Sequence, residues 1–168
     1  MLNVQFFDDP KLKELLPDEM MLMFYLLTNK HINMVGYGYF DPLYAAADLR
    51  MSENLVKTGM KSLQESELII FDPESQILYI PGWYSHNRLR SPRSVNYLID
   101  LEKSGSLPKA SPRTALMLYE NVYGLIEGNA QKKAWAPAIE FVSERLEELR
   151  FEASVSRSSP NDEDVEFC

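Results

Sequence analysis

The segment "FDPLYAAADLRMSENLVKTGMKSLQESELIIFDPESQILYIPGW", residues 40–83, constrains the fold more than any other part of this chain. Asp41 stands directly before Pro42, a capping carboxylate followed by proline at the first helical position. "PLYAAADL" then predicts a helix of two turns, and "RM" a tight turn. Ser52 caps a second helix, with Glu53 in its first turn, where the positive end of the helix dipole favours an acid. Leu55, Val56, Met60 and Leu63 fall on one face of that helix. Asn54, Lys57, Thr58, Lys61 and Glu65 fall on the other. Two helices joined by a tight turn, the second amphipathic, make a helix-turn-helix pattern. Two apolar, β-rich runs follow at once, Leu68–Phe71 and Ile77–Ile80. The "DPES" between them has turn chemistry, with Pro73 suited to a β-turn. A helix-turn-helix running into a hairpin predicts a winged helix. A generic α+β domain with a chance hairpin is the alternative.

The flanking sequence adds helices. Residues 1–14 read as an extended entry and a short turn. "LPDEMMLMFYLLTNK" reads as a helix with Asp18 and Glu19 in its first turn. Met20, Phe24 and Leu27 recur at helical spacing, and the run is apolar on most faces, so the helix should be buried. "TNKHINMVGYGY" breaks it. Downstream, "SPRSVNYLIDLEKSG" predicts a helix capped by Ser91 or Ser94 and stopped at Gly105. "ASPRTALMLYENVYGLIEG" predicts another, with Ser111 as cap and Ala115, Tyr119, Val122 and Ile126 on one face. A last helix spans about Trp135 to Phe151. Its Trp135, Ile139, Val142, Leu146 and Leu149 are spaced 4, 3, 4, 3, as in a coiled-coil seam. That seam packs either on its own domain or on a second copy as a homodimer.

The expected fold class is therefore α+β, mostly α: a winged helix-turn-helix with additional C-terminal helices. Residues 1–82 form the winged-helix core. Residues 83–153 form a basic connector and C-terminal helices packed on that core. Residues 154–168, polar, acidic and proline-interrupted, are expected to be a disordered acidic tail.

Charge points to a binding surface. The chain carries 25 acids against 17 bases, a net −8. Yet "GWYSHNRLRSPRS", residues 82–94, holds Arg88, Arg90 and Arg93 with no acid among them. From Ser85 to Arg113 there are six bases and two acids, so that segment is +4 and the remainder −12. A focused basic patch on an acidic body can bind phosphate, because binding follows the local field. In an extended strip Arg88 and Arg90 share a side. Their forked guanidiniums suit phosphate and base edges, and Asn87 and Ser91 add hydrogen-bond donors. On the second helix of the motif, Asn54 suits adenine in a major groove, and Lys57 and Lys61 suit guanine or phosphate. The candidate DNA-binding residues are thus Asn54, Lys57, Thr58, Lys61, Asn87, Arg88, Arg90 and Arg93. A linker whose arginines pair with the acidic body is the other reading of the strip.

Catalytic and cofactor chemistry finds no footing in the sequence. His31 and His86 lack partner cysteines or acids at ligand spacing, so no metal site is expected. "GYG" at 36–38 lacks the lysine and context of a phosphate loop. The acidic pairs Asp8–Asp9 and Glu147–Glu148 read as solvated faces. No enzyme activity and no cofactor are expected. The sole cysteine, Cys168, can form no intrachain disulfide, which fits a reducing cytosol. No signal-type or membrane-spanning run is visible, so a cytoplasmic protein with no membrane partner is expected.

The residues also resemble a known family. The run from "FDDPKLKELLPDEMMLMFYLLTN" through "W---N---SPRSV", with "GYGYF" before the helix-turn-helix and "D-ES--LYI" in the hairpin, resembles the N-terminal domain of phage replication-initiation (replisome organiser) proteins. Those are similar in layout to primosomal initiators of the DnaD type. The likeness covers roughly residues 5–126. It implies a winged-helix domain that binds double-stranded origin DNA, and as partners a replicative helicase, a helicase loader or another host replication protein. Two other readings remain: an adaptor or inhibitor that captures a host protein on its acidic surface, and a winged-helix transcription regulator, which would need a dimer.

Overall fold

The structure is a computed structural model and describes residues 10–83 and 92–156. A helical turn, α1 (Pro10–Lys13), buries Leu12 and leads into α2 (Pro17–Thr28). Strand β1 (Tyr37–Tyr39), α3 (Pro42–Leu49) and α4 (Glu53–Glu65) follow, then the hairpin β2 (Ile70–Asp72) and β3 (Ile77–Tyr79). Beyond the basic strip come α5 (Arg93–Lys103), α6 (Pro112–Ile126) with a short 3-10 turn (Glu127–Asn129), and α7 (Ala136–Ser156). The architecture is α+β and mostly helical.

Local chemistry sets most helix starts. The Asp41 side chain accepts from the Leu43 N–H at 2.8 Å, with Pro42 opening α3. Ser52 Oγ accepts from the Leu55 N–H at 3.2 Å, and Ser111 Oγ from the Thr114 N–H at 3.4 Å. At α2 the Glu19 carboxylate reaches back to the Leu16 N–H at 2.8 Å. These bonds satisfy donors that a helix cannot pair internally. The three-residue link between α3 and α4 is possible because Arg50 takes the left-handed conformation, φ 56°, and its N–H returns to the end of α3.

The three strands pair antiparallel in the order β1-β3-β2, with Gly38 opposite Leu78 and Phe71 opposite Leu78 on the other side. Strand β3 is buried along its whole length. Its alternation divides the core: Leu78 and Ile80 pack with α2, α3 and α4, whereas Ile77 and Tyr79 pack with α5, α6 and α7. The sheet is thus covered on both faces, and Trp83 packs against both apolar clusters.

Several expectations need correction. Of residues 1–14, the expected short turn is a helical one, Pro10–Lys13, and the expected extended entry at 1–9 lies outside the described residues. The all-apolar α2 is not buried all round: Leu22, Met23, Leu26 and Leu27 face the core, while Met21 and Phe24 are 53% and 43% exposed. Leu55, expected inward, is exposed, because α4 turns only Val56, Gly59, Met60 and Leu63 to the core. The stretch read as a mere break contains β1. Ser94 does not cap α5: Pro92 holds the cap position without a side-chain bond, and the other expected cap, Ser91, lies outside the described residues. Gly105, φ +67°, follows the end of that helix. Helix α7 continues through Ser154, Val155 and Ser156, three residues assigned to the tail, while 157–168 lie outside the described residues. The seam of Trp135, Val142, Leu146 and Leu149 is buried, and Ile139 half-buried, against α5, α6 and the sheet of the same chain. A homodimer through those residues would need surface that this chain has already used.

Among the described residues, no helix is long and apolar enough to cross a membrane.

Candidate nucleic-acid interface

Helix α4 is a two-faced element. Val56, Met60 and Leu63 anchor it beneath α2, where Gly59 lets the Leu22 side chain come close. This packing turns Asn54, Lys57, Thr58 and Lys61 together into solvent, so four of the eight expected site residues share one exposed face. That face is electrically balanced. Glu53 takes Lys57 at 2.5 Å, and Glu65 lies 3.8 Å from Lys61, each one helical turn away. Exposed pairs of this kind are weak, about 0.3–0.5 kcal/mol, so a phosphate can compete for either lysine.

The hairpin is held by one buried carboxylate. Asp72, 7% exposed, accepts at Oδ1 from the N–H groups of Glu74 (3.2 Å) and Ser75 (3.4 Å), which shapes the turn. Its Oδ2 accepts from the Ser111 N–H at 2.9 Å, which ties the hairpin to the start of α6. Burial pushes this carboxyl up, but the bonds from Ser111 and Ser75 outweigh burial and hold it below its ordinary value. On the outer edge of β2, the Phe71 N–H donates to Gln64 Oε1 of α4 at 2.9 Å, fixing the angle between hairpin and helix.

The basic strip is described only at its two ends. Trp83 is partly buried, with its indole N–H donating to the Met34 carbonyl at 2.9 Å, so this aromatic is a structural anchor rather than a free contact. Arg93 opens α5 and is exposed, in the layer opposite α4. The expected contacts Asn87, Arg88 and Arg90 lie outside the described residues. Further along the basic segment Lys103, Lys109 and Arg113 are exposed, with Lys103 5.1 Å above the Phe141 ring.

Acidic charge concentrates on α7, where Glu140, Glu144, Glu147, Glu148 and Glu152 are all exposed. Arg145 gathers Glu102 (3.0 Å), Glu148 (2.9 Å) and Glu152 (3.2 Å), and Glu102 also accepts from the Tyr119 hydroxyl at 3.1 Å. This network latches α7 to α5 and α6. Among the described residues, no group of three or more His, Cys, Asp or Glu is placed to hold a metal ion.

The sequence reading passed over a second surface. The end of α2, the loop after it and the outer side of α3 enclose a hollow of about 640 Å³ lined by Tyr25, Thr28, Asn29, Lys30, His31, Tyr44, Ala47 and Asp48. The Tyr25 hydroxyl donates to Asp48 Oδ2 at 2.8 Å, and burial together with that carboxylate pushes the phenol up to about 12. The signal lay in "YLLTNKH" and "DPLYAAAD", where polar and aromatic residues face each other only after the chain folds. Compared with known proteins, the chain matches no family model, no curated protein and no solved structure.

Proposed function

We propose that this chain is a non-enzymatic DNA-binding protein of the phage replication-initiation type, and that it grips duplex DNA through a winged helix. The observation that carries this reading is the placement of Asn54, Lys57, Thr58 and Lys61 on the exposed face of the second helix of the motif. The element order also supports it: helix, strand, two helices joined by a three-residue turn, then a hairpin that completes a β1-β3-β2 sheet. In this reading α4 enters the major groove, and the hairpin with the basic strip behind it lies along phosphate. The resemblance to replisome organisers adds a replicative helicase or its loader as partner.

The test is equilibrium binding of the full chain to a random-sequence duplex at two salt concentrations. Salt-sensitive binding is expected, and each phosphate contact adds about 0.9 to the slope of log affinity against log salt. Lys57→Ala with Lys61→Ala should weaken binding and reduce that slope. Absence of duplex binding at low salt would refute the proposal.

A second reading, an adaptor that takes a basic protein partner, is favoured by the carboxylates along α7 and by the pairing of both α4 lysines with acids. It predicts a basic protein retained on the chain and displaced by Glu144→Lys with Glu147→Lys, with duplex DNA ignored.

A further inference from the structure

We infer that the hollow between α2 and α3 is a second nucleic-acid site, one that takes an unpaired nucleotide of a single strand. It uses none of the residues of α4 and so does not depend on the duplex reading.

The wall chemistry matches the parts of a nucleotide. Tyr44 is 59% exposed on α3 and offers a ring face on which a base can stack. Lys30 and His31 stand exposed at the rim, and among the described residues neither is held in an ion pair, unlike Lys57 and Lys61. They are therefore available to a backbone phosphate without first releasing a carboxylate. Asn29 has its side-chain oxygen engaged by the His31 N–H at 2.7 Å, so what its carboxamide can still offer is its NH₂ donor. Asp48 has one oxygen taken by Tyr25, leaving the other to accept from a base amino group.

The loop that presents these groups is built rather than slack. Asn33 bonds through its side chain to the N–H groups of Val35 (3.0 Å) and Tyr37 (3.2 Å), and the Gly36 N–H returns to the Asn33 carbonyl at 3.0 Å. Ile32 bridges to Gly38 of β1, so close that a β-carbon on Gly38 would collide with the His31 carbonyl oxygen. A rim fixed this way gives up little conformational freedom on binding. A base in a duplex is stacked on both sides and its Watson–Crick edge is paired, so only an unpaired base can use both Tyr44 and Asp48.

The experiment is fluorescence anisotropy of a labelled single strand of about twelve nucleotides with the full chain at low salt, an order of length suited to such sites. Tyr44→Ala should weaken binding by roughly 5- to 150-fold, the range that loss of one stacked base brings. Lys30→Ala should weaken binding and lower the salt slope by about 0.7. Tyr44→Ala should leave duplex affinity unchanged, which separates this site from the duplex interface. Because Tyr44 is exposed, its substitution should leave the melting temperature close to the parent's. Failure of the parent chain to bind the strand would overturn the inference. So would a Tyr44→Ala chain that binds like the parent, or equal competition by a polyglutamate peptide.

Discussion

Replacing Asp72 by alanine should loosen the hairpin from the rest of the molecule. Three N–H donors lose their acceptor at once: Ser111 at 2.9 Å, Glu74 at 3.2 Å and Ser75 at 3.4 Å. A short bond to a charged acceptor contributes about 1.5–3 kcal/mol, and the two longer ones about 0.5–1 kcal/mol each. The expected loss is therefore about 2.5–5 kcal/mol. With a urea m-value of about 2 kcal/mol/M, the denaturation midpoint should fall by roughly 1.2–2.5 M. Asp72→Asn keeps one acceptor oxygen and should lose about half as much. pH adds a sign. The folded carboxyl sits below its ordinary value of 3.8, so its contribution is complete above that value and is lost as pH falls through the folded one. The gap between parent and Asp72→Asn should accordingly be constant near neutrality and shrink below about pH 4. Urea unfolding followed by far-UV circular dichroism measures both. A midpoint for Asp72→Ala within about 0.3 M of the parent, or a gap that widens in acid, would refute the assignment of Asp72 as the hairpin's anchor.

Two further predictions concern the site and its support. Glu53→Gln with Glu65→Gln removes the carboxylates that hold Lys57 and Lys61, so duplex affinity should rise and the salt slope steepen by about one to two contacts, at a cost of under about 1 kcal/mol in stability. An unchanged slope in a filter-binding titration would mean that these lysines do not meet phosphate. Gly38→Ala puts a methyl group against the His31 carbonyl, a backbone atom that cannot swing aside, so the chain should lose about 2–3 kcal/mol, read as a fall in melting temperature. A melting temperature equal to the parent's would show that β1 and the loop are not pressed together.

The parts legible in the sequence were those set by short-range bonding. Asp41, Ser52 and Ser111 announce helix starts because each caps a donor two or three residues ahead. The "DPES" turn is legible for the same reason, since Asp72 bonds within its own turn. What failed to show depends on distant partners. "YGY" is three residues long, and its strand exists because β3 and the His31 loop approach Gly38 from elsewhere. Helix α2 carries no polar contrast in its middle, so periodicity could not say that Phe24 faces out and Leu26 in. The 4-3 spacing in α7 is equally good against a second copy or against α5 and α6, and the fold chose the latter. At the candidate site, the exposed face of α4 could be read from its amphipathic pattern. The pairing of its lysines with Glu53 and Glu65 is also one turn apart in sequence, but only geometry shows it formed.

The strand shared by both layers has a consequence for synthesis on the ribosome. When β3 has left the exit tunnel, α2, α3 and α4 can cover its Leu78 and Ile80 side at once. The side bearing Ile77 and Tyr79 meets Val95, Leu98 and Ile99 of α5 first, and must wait for Val122, Val142 and Leu149, which are translated roughly several seconds later at about 5–20 residues per second. During that interval the nascent chain presents a partly covered apolar sheet face. The segment from Pro10 to Trp83 expressed alone should therefore aggregate more readily than the full chain, because it lacks the helices that cover Ile77 and Tyr79.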